Sequence, residues 1–249
     1  MSAIRLHVPD LGTIGSSLDL PEGAARHAQV RRVQPGDELE LFDGLGRAVI
    51  ARVAHMGRRD VTVQIDRPID VLPELTPQIH LALGMPANER MDTLVEKATE
   101  LGAASFQPLM CERSVLRLAG DRAERKQAHW QGIAVAAAEQ CGRAVVPPVA
   151  TPVGLEAWLR QLPAANAGEQ RWLLSFADDA LPLAERARSW RDGPVAPADL
   201  RVLSGPEGGL SPSEEEAARA CGYLPVILGP RVLRADTAPL VVLSWWGLQ

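Results

Sequence analysis

The alternation of apolar and polar residues changes character along the chain. Up to about residue 72 the apolar residues occur in short alternating runs, Glu38–Phe42, Ala48–Val53 and Val61–Ile65, separated by Gly, Asp and Pro. Runs of this kind predict strands, and the segment Asp43–Gly46 supplies glycines that tolerate the positive φ of a hairpin. The pattern therefore predicts a small β-barrel at the start of the chain.

The alternation is lost at residues 67–77, where three prolines indicate a linker. From about Gln78 onward, strand-like runs alternate with helical patterns, which is typical of an α/β domain with a mainly parallel sheet. We therefore predict two domains, residues 1–72 and 73–249. The predicted strands are 79–83, 104–109, 171–176, 200–204 and 224–228, and the predicted helices are 88–101, 121–141, 180–190, 212–221 and 236–247.

Composition removes several function classes. The net charge of −5 excludes the diffuse positive field of a nonspecific nucleic-acid binder, so any RNA contact must come from a local patch. The three cysteines form no C-x-x-C pair, and neither H-E-x-x-H nor G-x-S-x-G occurs, so we predict no disulfide framework, metal site or common hydrolase site. The N-terminus lacks an apolar targeting core and no run approaches roughly 18 apolar residues, so we expect a cytoplasmic protein outside membranes.

Two small basic clusters stand in the otherwise neutral first domain. Arg26, Arg31 and Arg32 form the first, and Arg58 and Arg59 form the second. Arginine offers a planar fork suited to phosphate, so these clusters fit a module that positions RNA. For Arg58 and Arg59 an ordinary solvated surface is the slightly favoured interpretation.

The most informative stretch runs from Leu200 to Glu214. A buried strand leads directly into a loop with three glycines, and a helix then begins with Ser211 as N-cap, Pro212 at its first position and Glu214 completing a capping box. Glycines let a ligand approach the backbone closely, and ligands of parallel sheets bind at the carboxyl ends of strands. The loop matches neither G-x-G-x-x-G, which binds dinucleotides, nor G-x-x-x-x-G-K-S/T, which binds nucleoside triphosphates. We therefore expect a different small ligand.

A second loop of this kind follows about twenty residues later. The strand-like run Val226–Leu228 leads into Gly229 and Pro230, and a last apolar helix follows. Two such loops at one sheet edge predict a pocket walled largely by backbone, suited to a ligand with an adenine ring. Arg231 and Arg234 stand near its mouth, where they either face a polyanionic substrate or serve structure by capping a helix or pairing with Glu207.

These segments together resemble the SPOUT-superfamily methyltransferases that modify N3 of a uridine in 16S ribosomal RNA. Seven segments of the chain carry the resemblance, in addition to His27: Val30–Asp37, Asp43–Gly46, Glu89–Gly102, Glu112–Ser114, Glu139–Arg143, Gly205–Gly209 and Leu228–Ala238. Two positions depart from the family pattern, since Asp236 stands where Glu is usual and Arg31 where Leu is usual. We interpret Asp236 as a cap of the final helix, whose N-terminus favours an acid.

The resemblance implies a PUA-like RNA-binding barrel followed by a domain with a deep trefoil knot. It implies a homodimer and a pocket that holds S-adenosylmethionine in a bent form through main-chain groups. The implied cofactor-binding residues are Leu174, Ser175, Phe176, Ser204, Gly205, Glu207, Gly208, Gly209, Leu228, Gly229, Arg231 and Leu233.

The reaction implied by the resemblance is attack of uracil N3 on the sulfonium methyl group. Arg234 is the first candidate for stabilising the uracil anion, and Arg113, Glu139 and Arg143 are further site candidates. Glu139 is either the base or a salt-bridge partner of Arg143, four residues later on the same helix. Arg26, Arg31 and Arg32 would hold 16S rRNA of the 30S subunit by its phosphates.

Three alternatives remain open from the sequence. A SPOUT enzyme could act on another RNA, such as a transfer-RNA ribose hydroxyl, although the barrel and the segment Glu139–Arg143 argue against it. A non-catalytic ribosome assembly factor could retain the same fold. A Rossmann oxidoreductase is the most distant alternative, because its glycine fingerprint is missing.

Overall fold

The computed structural model describes residues 4–248, without the side chain of Asn88. Residues 1–3, where the expected untargeted N-terminus begins, and residue 249, where the second predicted domain ends, lie outside the described residues. The chain separates into two compact units. One comprises the chain up to Pro73 together with Val135–Val146, and the other comprises Glu74–Ala134 together with the chain from Pro147 onward.

The first unit contains a five-stranded sheet, one short helix and residues Val135–Val146. Strand β1 pairs in parallel with β3, and the other neighbours are antiparallel in the order β1-β3-β4-β5-β2. Leu6, Leu39, Leu41 and Val63 are buried in its core. The elements are β1 Ile4–His7, β2 Ser17–Asp19, α1 Glu22–Val30, β3 Glu38–Phe42, β4 Ala48–Met56 and β5 Val61–Ile69.

Helix α1 has no counterpart in the sequence prediction. It buries Ala24, Ala25 and Ala28, which are too small to produce a visible apolar stripe. The predicted linker also begins too early, because β5 continues to Ile69 and Pro68 pairs with Val49. Proline is tolerated there because β2 reaches only the earlier part of β5, which leaves this end of the strand at an edge.

The second unit is built on a seven-stranded sheet in the order β10-β12-β9-β11-β6-β7-β8, and all its neighbouring strands run in parallel. This arrangement agrees with the predicted α/β architecture. The elements that follow Pro73 are β6 Gln78–Gly84, α2 Asn88–Glu100, β7 Ala103–Met110, α3 Asp121–Cys141, β8 Val153–Gly154, α4 Leu155–Gln161, β9 Glu169–Leu174, β10 Leu181–Pro182, α5 Leu183–Arg191, β11 Asp199–Ser204, α6 Pro212–Ala220, β12 Leu224–Ile227 and α7 Ala238–Gly247.

Several element bounds differ from the predicted ones. Helix α5 begins at Leu183 because the two preceding residues form β10, which pairs with β12. Helix α4 was missed, since it is short and buries only Leu155 and Leu159. Across the described residues, the helices all fall short of the length and apolar character that a membrane crossing requires.

The prediction that Asp236 caps the last helix is wrong. Helix α7 begins at Ala238 with Thr237 as its N-cap, and the Thr237 side chain makes no capping hydrogen bond. The Oδ1 atom of Asp236 is instead buried, with no hydrogen-bond partner among the described residues. An acid two residues before the true start is too early to serve the free amide groups of the first turn.

The strand order places three loops at one edge of the second unit's sheet. Strand β9 lies between β11 and β12, and all three run in the same direction. Their carboxyl ends therefore meet, and the chain leaves them at residues 174–176, 204–210 and 228–237. This edge is the place where a ligand of a parallel sheet is expected.

Candidate active site

The glycine loop between β11 and α6 is held in close contact with the rest of the sheet. A Cβ atom added at Gly84, the last residue of β6, would lie 2.5 Å from the backbone nitrogen of Pro206. One added at Gly205 would lie 2.9 Å from the backbone nitrogen of Leu210. Gly209 has a φ of +69°, and its N–H donates to Pro206 O over 2.8 Å. Glycine is required here by close backbone approach and by positive φ.

The predicted capping box is confirmed at the end of this loop. Ser211 Oγ accepts from the N–H of Glu214, and Glu214 Oε2 accepts from the N–H of Ser211 over 2.9 Å. The other oxygen of Glu214, Oε1, accepts from the N–H of Glu112 over 2.7 Å. Glu214 thus also connects the loop to the segment that follows β7.

Arg113 supports the same loop from the segment after β7. Its Nη1 donates to Gly208 O over 3.0 Å and to Leu210 O over 3.2 Å. Cys111, at the start of this segment, is fully buried, and burial raises the pKa of its thiol to about 12. Cys111 is therefore a neutral packing residue at physiological pH, whereas Arg113 holds the loop's carbonyl groups in place.

The other two loops contribute hydrogen-bonded backbone and exposed side chains. Ser175 donates through its N–H to Val226 O over 3.1 Å, and its hydroxyl donates to Glu215 Oε2 over 3.2 Å. Gly229 has a φ of +125°, which turns the chain after β12. In the same loop the N–H groups of Thr237 and Ala238 donate to Arg234 O, which closes the turn into α7.

A cavity of about 580 Å³ lies among these three loops. Eleven of the twelve residues predicted to bind a cofactor line it, and Gly229 is the one that does not. Arg234, a predicted catalytic residue, also lines it. Residues of the wall that sequence reasoning missed are Arg90, Pro206, Leu210, Glu215, Val226, Ile227, Val232, Ala235 and Ala238. Of these, five belong to segments that carried the family resemblance: Arg90, Pro206, Val232, Ala235 and Ala238.

The cavity wall contains both engaged and free charges. Glu207 Oε1 accepts from the N–H of Ala87 over 3.0 Å and lies 3.4 Å from Arg90 Nη1. The pairing of Arg231 or Arg234 with Glu207, one alternative from the sequence, is thus replaced by Arg90. The side chains of Arg231 and Arg234 are exposed and have no hydrogen bond or ion pair with the described residues. Their guanidinium groups are available to an anionic substrate at the mouth.

The remaining catalytic candidates, Glu139 and Arg143, belong to the first unit, whereas Arg113 and Arg234 belong to the second. Glu139 Oε1 accepts from the N–H of His7 over 2.9 Å, and its Oε2 lies 3.2 Å from His27 Nδ1. Arg143 is 6% exposed, and its carbonyl accepts from Arg5 Nη2 over 3.3 Å. The carboxylate of Glu139 therefore already has partners on both of its oxygens.

The predicted RNA-binding residues cluster around the end of α1. Arg26, Arg31 and Arg32 are exposed, and their side chains have no hydrogen bond or ion pair with the described residues. Arg32 has a φ of +57°, which is uncommon for a residue with a side chain. With this positive φ, the backbone leaves the helical path after Arg31, and Arg32 does not continue helix α1.

A smaller cavity of about 200 Å³ lies beside the early residues of three strands. His80 connects two polar partners there, because its Nδ1 lies 2.8 Å from Ser105 Oγ and its Nε2 lies 3.1 Å from Asp199 Oδ1. The sequence does not predict this group of hydrogen-bonded side chains, because His80, Ser105 and Asp199 are far apart along the sequence. It lies away from the carboxyl ends of the strands, so we take the larger cavity as the candidate active site.

Comparison with known proteins identifies relatives for both parts of the chain. Residues 73–247 match the RNA methyltransferase domain family, and residues 20–66 match the RNA methyltransferase PUA domain family. A relative from Synechocystis sp., named ribosomal RNA small subunit methyltransferase E, is 34% identical over 247 residues, which cover 97% of this chain and 76% of the relative.

Two known structures are similar over almost the whole chain. A ribosomal RNA small subunit methyltransferase E from Neisseria gonorrhoeae, bound to S-adenosylmethionine, matches with a TM-score of 0.87 and 31% identity, covering 98% of this chain and 96% of that one. A methyltransferase from Legionella pneumophila, also with bound S-adenosylmethionine, matches with a TM-score of 0.88 and 32% identity, covering 100% and 98%.

Proposed function

The chain belongs to the RNA methyltransferase family whose curated members carry the name ribosomal RNA small subunit methyltransferase E, and we propose that it methylates 16S ribosomal RNA with S-adenosylmethionine. The proposed target atom is N3 of a uridine. The motifs that carry the resemblance to uridine-N3 methyltransferases support this target, and the two similar structures with bound S-adenosylmethionine support the methyl donor.

The observation that carries the proposal is the cavity enclosed by the three loops. Its volume of about 580 Å³ falls within the roughly 300–1,000 Å³ of small-molecule sites. Its wall combines the backbone of the glycine loop with apolar side chains such as Leu174 and Leu228, which suits an adenosine group. Bound there, S-adenosylmethionine supplies a methyl group activated by its sulfonium.

The proposed reaction is an in-line displacement that balances without any other reagent. Uracil N3 forms a bond to the methyl carbon as the carbon–sulfur bond breaks, and the sulfur keeps that electron pair. The N3 proton passes to a base, for which Glu139 is the proposed candidate, and the products are N3-methyluridine and S-adenosylhomocysteine. Positioning the two reactants accounts for a large part of such a rate enhancement, and stabilising the negative charge on uracil adds to it.

Arg234 is the proposed source of that charge stabilisation. It lines the cavity and its guanidinium has no protein partner among the described residues, so its donors can face the uracil oxygens. Arg113 is proposed to act through the glycine loop, because its donors are used by Gly208 O and Leu210 O. Glu139 and Arg143 remain the proposed contributors from the first unit, with Glu139 as candidate base.

The RNA is proposed to be held by the basic cluster Arg26, Arg31 and Arg32. These exposed, unpaired arginines offer phosphate contacts, so RNA binding should weaken as salt increases. We propose the domain boundaries 1–72 and 73–249, a trefoil knot where the three loops meet, a homodimer, and a cytoplasmic location alongside the ribosome. The position of β12 beyond β9 supports the knot, since the chain must return across the sheet after β11.

The proposed function is tested with ribosomal particles that lack the modification. The 30S particles and protein-free 16S rRNA are taken from a strain deleted for this protein and incubated with the purified protein and labelled S-adenosylmethionine. We expect N3-methyluridine in the 16S rRNA by mass spectrometry. Methyl transfer only to transfer RNA would contradict the proposed substrate, and absence of donor binding by calorimetry would indicate an assembly factor instead.

A further inference from the structure

Helix α3 carries a basic face near its start. Arg122, Arg125, Lys126 and His129 make up this face, which we call the α3 basic face. At about 100° per residue they fall within an arc of roughly 100°, and they extend over about 10 Å of the helix axis. Together they line a surface depression of about 390 Å³.

The cations of the α3 basic face are largely unpaired. Arg122 and Arg125 are exposed and have no hydrogen bond or ion pair with the described residues. The Nζ of Lys126 lies 5.8 Å from the centroid of the Trp130 ring, and it has no ion pair with the described residues. Glu124, by the helical angle, falls on the opposite side of the helix. The face is therefore a local positive patch on a chain of net charge −5.

This arrangement contrasts with arginines that serve structure elsewhere in the same unit. Arg219 makes two contacts of 2.7 and 2.9 Å with Asp179, and this hydrogen bonding keeps the pKa of Asp179 below its ordinary value. The buried Arg171 lies 2.8 Å from Glu169. Cations left without such partners, and grouped on one helix face, are instead available to an external anion.

The α3 basic face is connected to the candidate active site through α2. Asp92 of α2 accepts from Trp130 Nε1 over 2.9 Å, and its other oxygen lies 2.9 Å from His129 Nε2. Arg90, two residues earlier on α2, lines the cofactor cavity. Both elements belong to the second unit. The basic face and one residue of the cavity wall, Arg90, are thus carried by two helices that are hydrogen-bonded to each other.

We propose that the α3 basic face binds the phosphate backbone of the substrate RNA, as a contact additional to Arg26, Arg31 and Arg32. This proposal rests on the proposed function and extends it to a second RNA-binding surface. Arginine forks match phosphate geometry, and a face about 10 Å long spans more than one phosphate of a strand. Trp130 is buried beneath the face, so its ring cannot stack on a base, and the ring of His129 already lies 2.9 Å from Asp92. The face therefore positions RNA without selecting its sequence.

The test removes the two arginines and the lysine of the face together. The variant Arg122→Gln, Arg125→Gln, Lys126→Gln is compared with the wild type for binding to protein-free 16S rRNA across a range of salt. Each lost phosphate contact lowers the slope of log affinity against log salt by about one, so we expect a decrease of two to three. We also expect RNA affinity at least tenfold lower at about 0.15 M salt, with unchanged donor affinity by calorimetry.

A matched control removes the same charge from scattered positions. Arg67→Gln, Arg160→Gln, Arg188→Gln changes the net charge equally, and its RNA affinity should stay much closer to that of the wild type. The side chains of Arg67 and Arg188 are exposed and have no hydrogen bond or ion pair within residues 4–248, and the Arg160 side chain has only a 3.9 Å contact with the exposed Glu156. Equal melting temperatures for both variants establish that folding is intact.

Three results overturn the proposal. The first is a variant whose RNA affinity depends on salt as strongly as that of the wild type. The second is a scattered control that loses as much RNA affinity as the variant. The third is a variant that loses affinity for 30S particles but not for protein-free 16S rRNA, which would indicate a ribosomal protein as the partner. Failure of the proposed function gives a different result, because the wild type would then transfer no methyl group to 16S rRNA. The dependence of RNA affinity on salt, compared between wild type and variant, would still show whether the α3 basic face contacts RNA.

Discussion

At the scale of single residues, the arginines near the cavity divide by what they already bind. Arg90 and Arg113 are engaged, the first with Glu207 and the second with two loop carbonyls. The guanidinium groups of Arg231 and Arg234 have no hydrogen bond or ion pair with any described residue. An arginine with free donors can follow charge that develops during a reaction, whereas an engaged one maintains geometry. The two groups should therefore affect different kinetic quantities.

Replacement of the free Arg234 should affect turnover more than donor binding. For Arg234→Ala we expect kcat to decrease by about 100-fold or more, as when one donor to a developing anion is removed. The affinity for S-adenosylmethionine should stay within a few fold of the wild type by calorimetry. Arg188→Ala, which removes an exposed cation on α5, provides the control. Equal losses in turnover and affinity would show instead that Arg234 binds the cofactor.

Replacement of Arg113 should produce the opposite pattern. Arg113→Ala removes two charge-assisted hydrogen bonds to the glycine loop. The free energy that holds the loop in its binding conformation should decrease by about 1–3 kcal/mol, so donor binding should weaken by roughly tenfold or more. Arg117→Ala is a close control, since Arg117 donates to Glu112 O, a carbonyl outside the cavity wall. Unchanged donor affinity in Arg113→Ala would contradict the positioning role and favour direct contact with RNA.

At the scale of elements, the sequence predicts what depends on local contacts. The capping box Ser211–Glu214 and the glycine loops could be predicted because their signals lie within a few residues, and the family resemblance built on those loops is confirmed. The bond from Glu112 to Glu214 joins residues 102 positions apart, so no local pattern shows it. Asp236 was misassigned because a weak start signal placed α7 two residues too early.

The contact between the end of β6 and the glycine loop gives a prediction at this scale. Gly84→Ala would place a methyl group 2.5 Å from the Pro206 nitrogen, so strand and loop must separate. Overpacking of this kind costs about 1–3 kcal/mol of unfolding free energy, measurable by urea denaturation. Donor affinity should decrease as well, because the loop lines the cavity.

The same substitution in an open helical site should have the opposite sign. Gly132 lies inside α3, and an added Cβ would meet nothing within 4 Å. Gly132→Ala should therefore stabilise the protein by up to about 1 kcal/mol through helix propensity. If Gly84→Ala were as stable as the wild type, the loop would have room to shift, and the close approach would not explain glycine at that position.

At the scale of the whole molecule, helix α7 shows two apolar faces where one would suffice. Pro239, Val242, Leu243 and Trp246 are buried, and the helix packs against α2 and β11. On the other side Leu240, Val241 and Trp245 are only partly buried. A helix that is apolar on both sides is typical of one that is covered on both sides. The second side is where the proposed homodimer would bury its surface.

A charged residue on that side should therefore separate the proposed dimer. Light scattering should give about twice 26.8 kDa for the wild type and 26.8 kDa for Val241→Glu. Because Val241 precedes the buried Val242, intact folding is checked by circular dichroism. Val195→Glu places the same charge at an exposed valine outside the helices and should leave the mass unchanged. If each cavity is completed by the partner, the monomeric variant should also bind S-adenosylmethionine more weakly. A wild type of 26.8 kDa would contradict the dimer and leave the partly buried side of α7 to another partner.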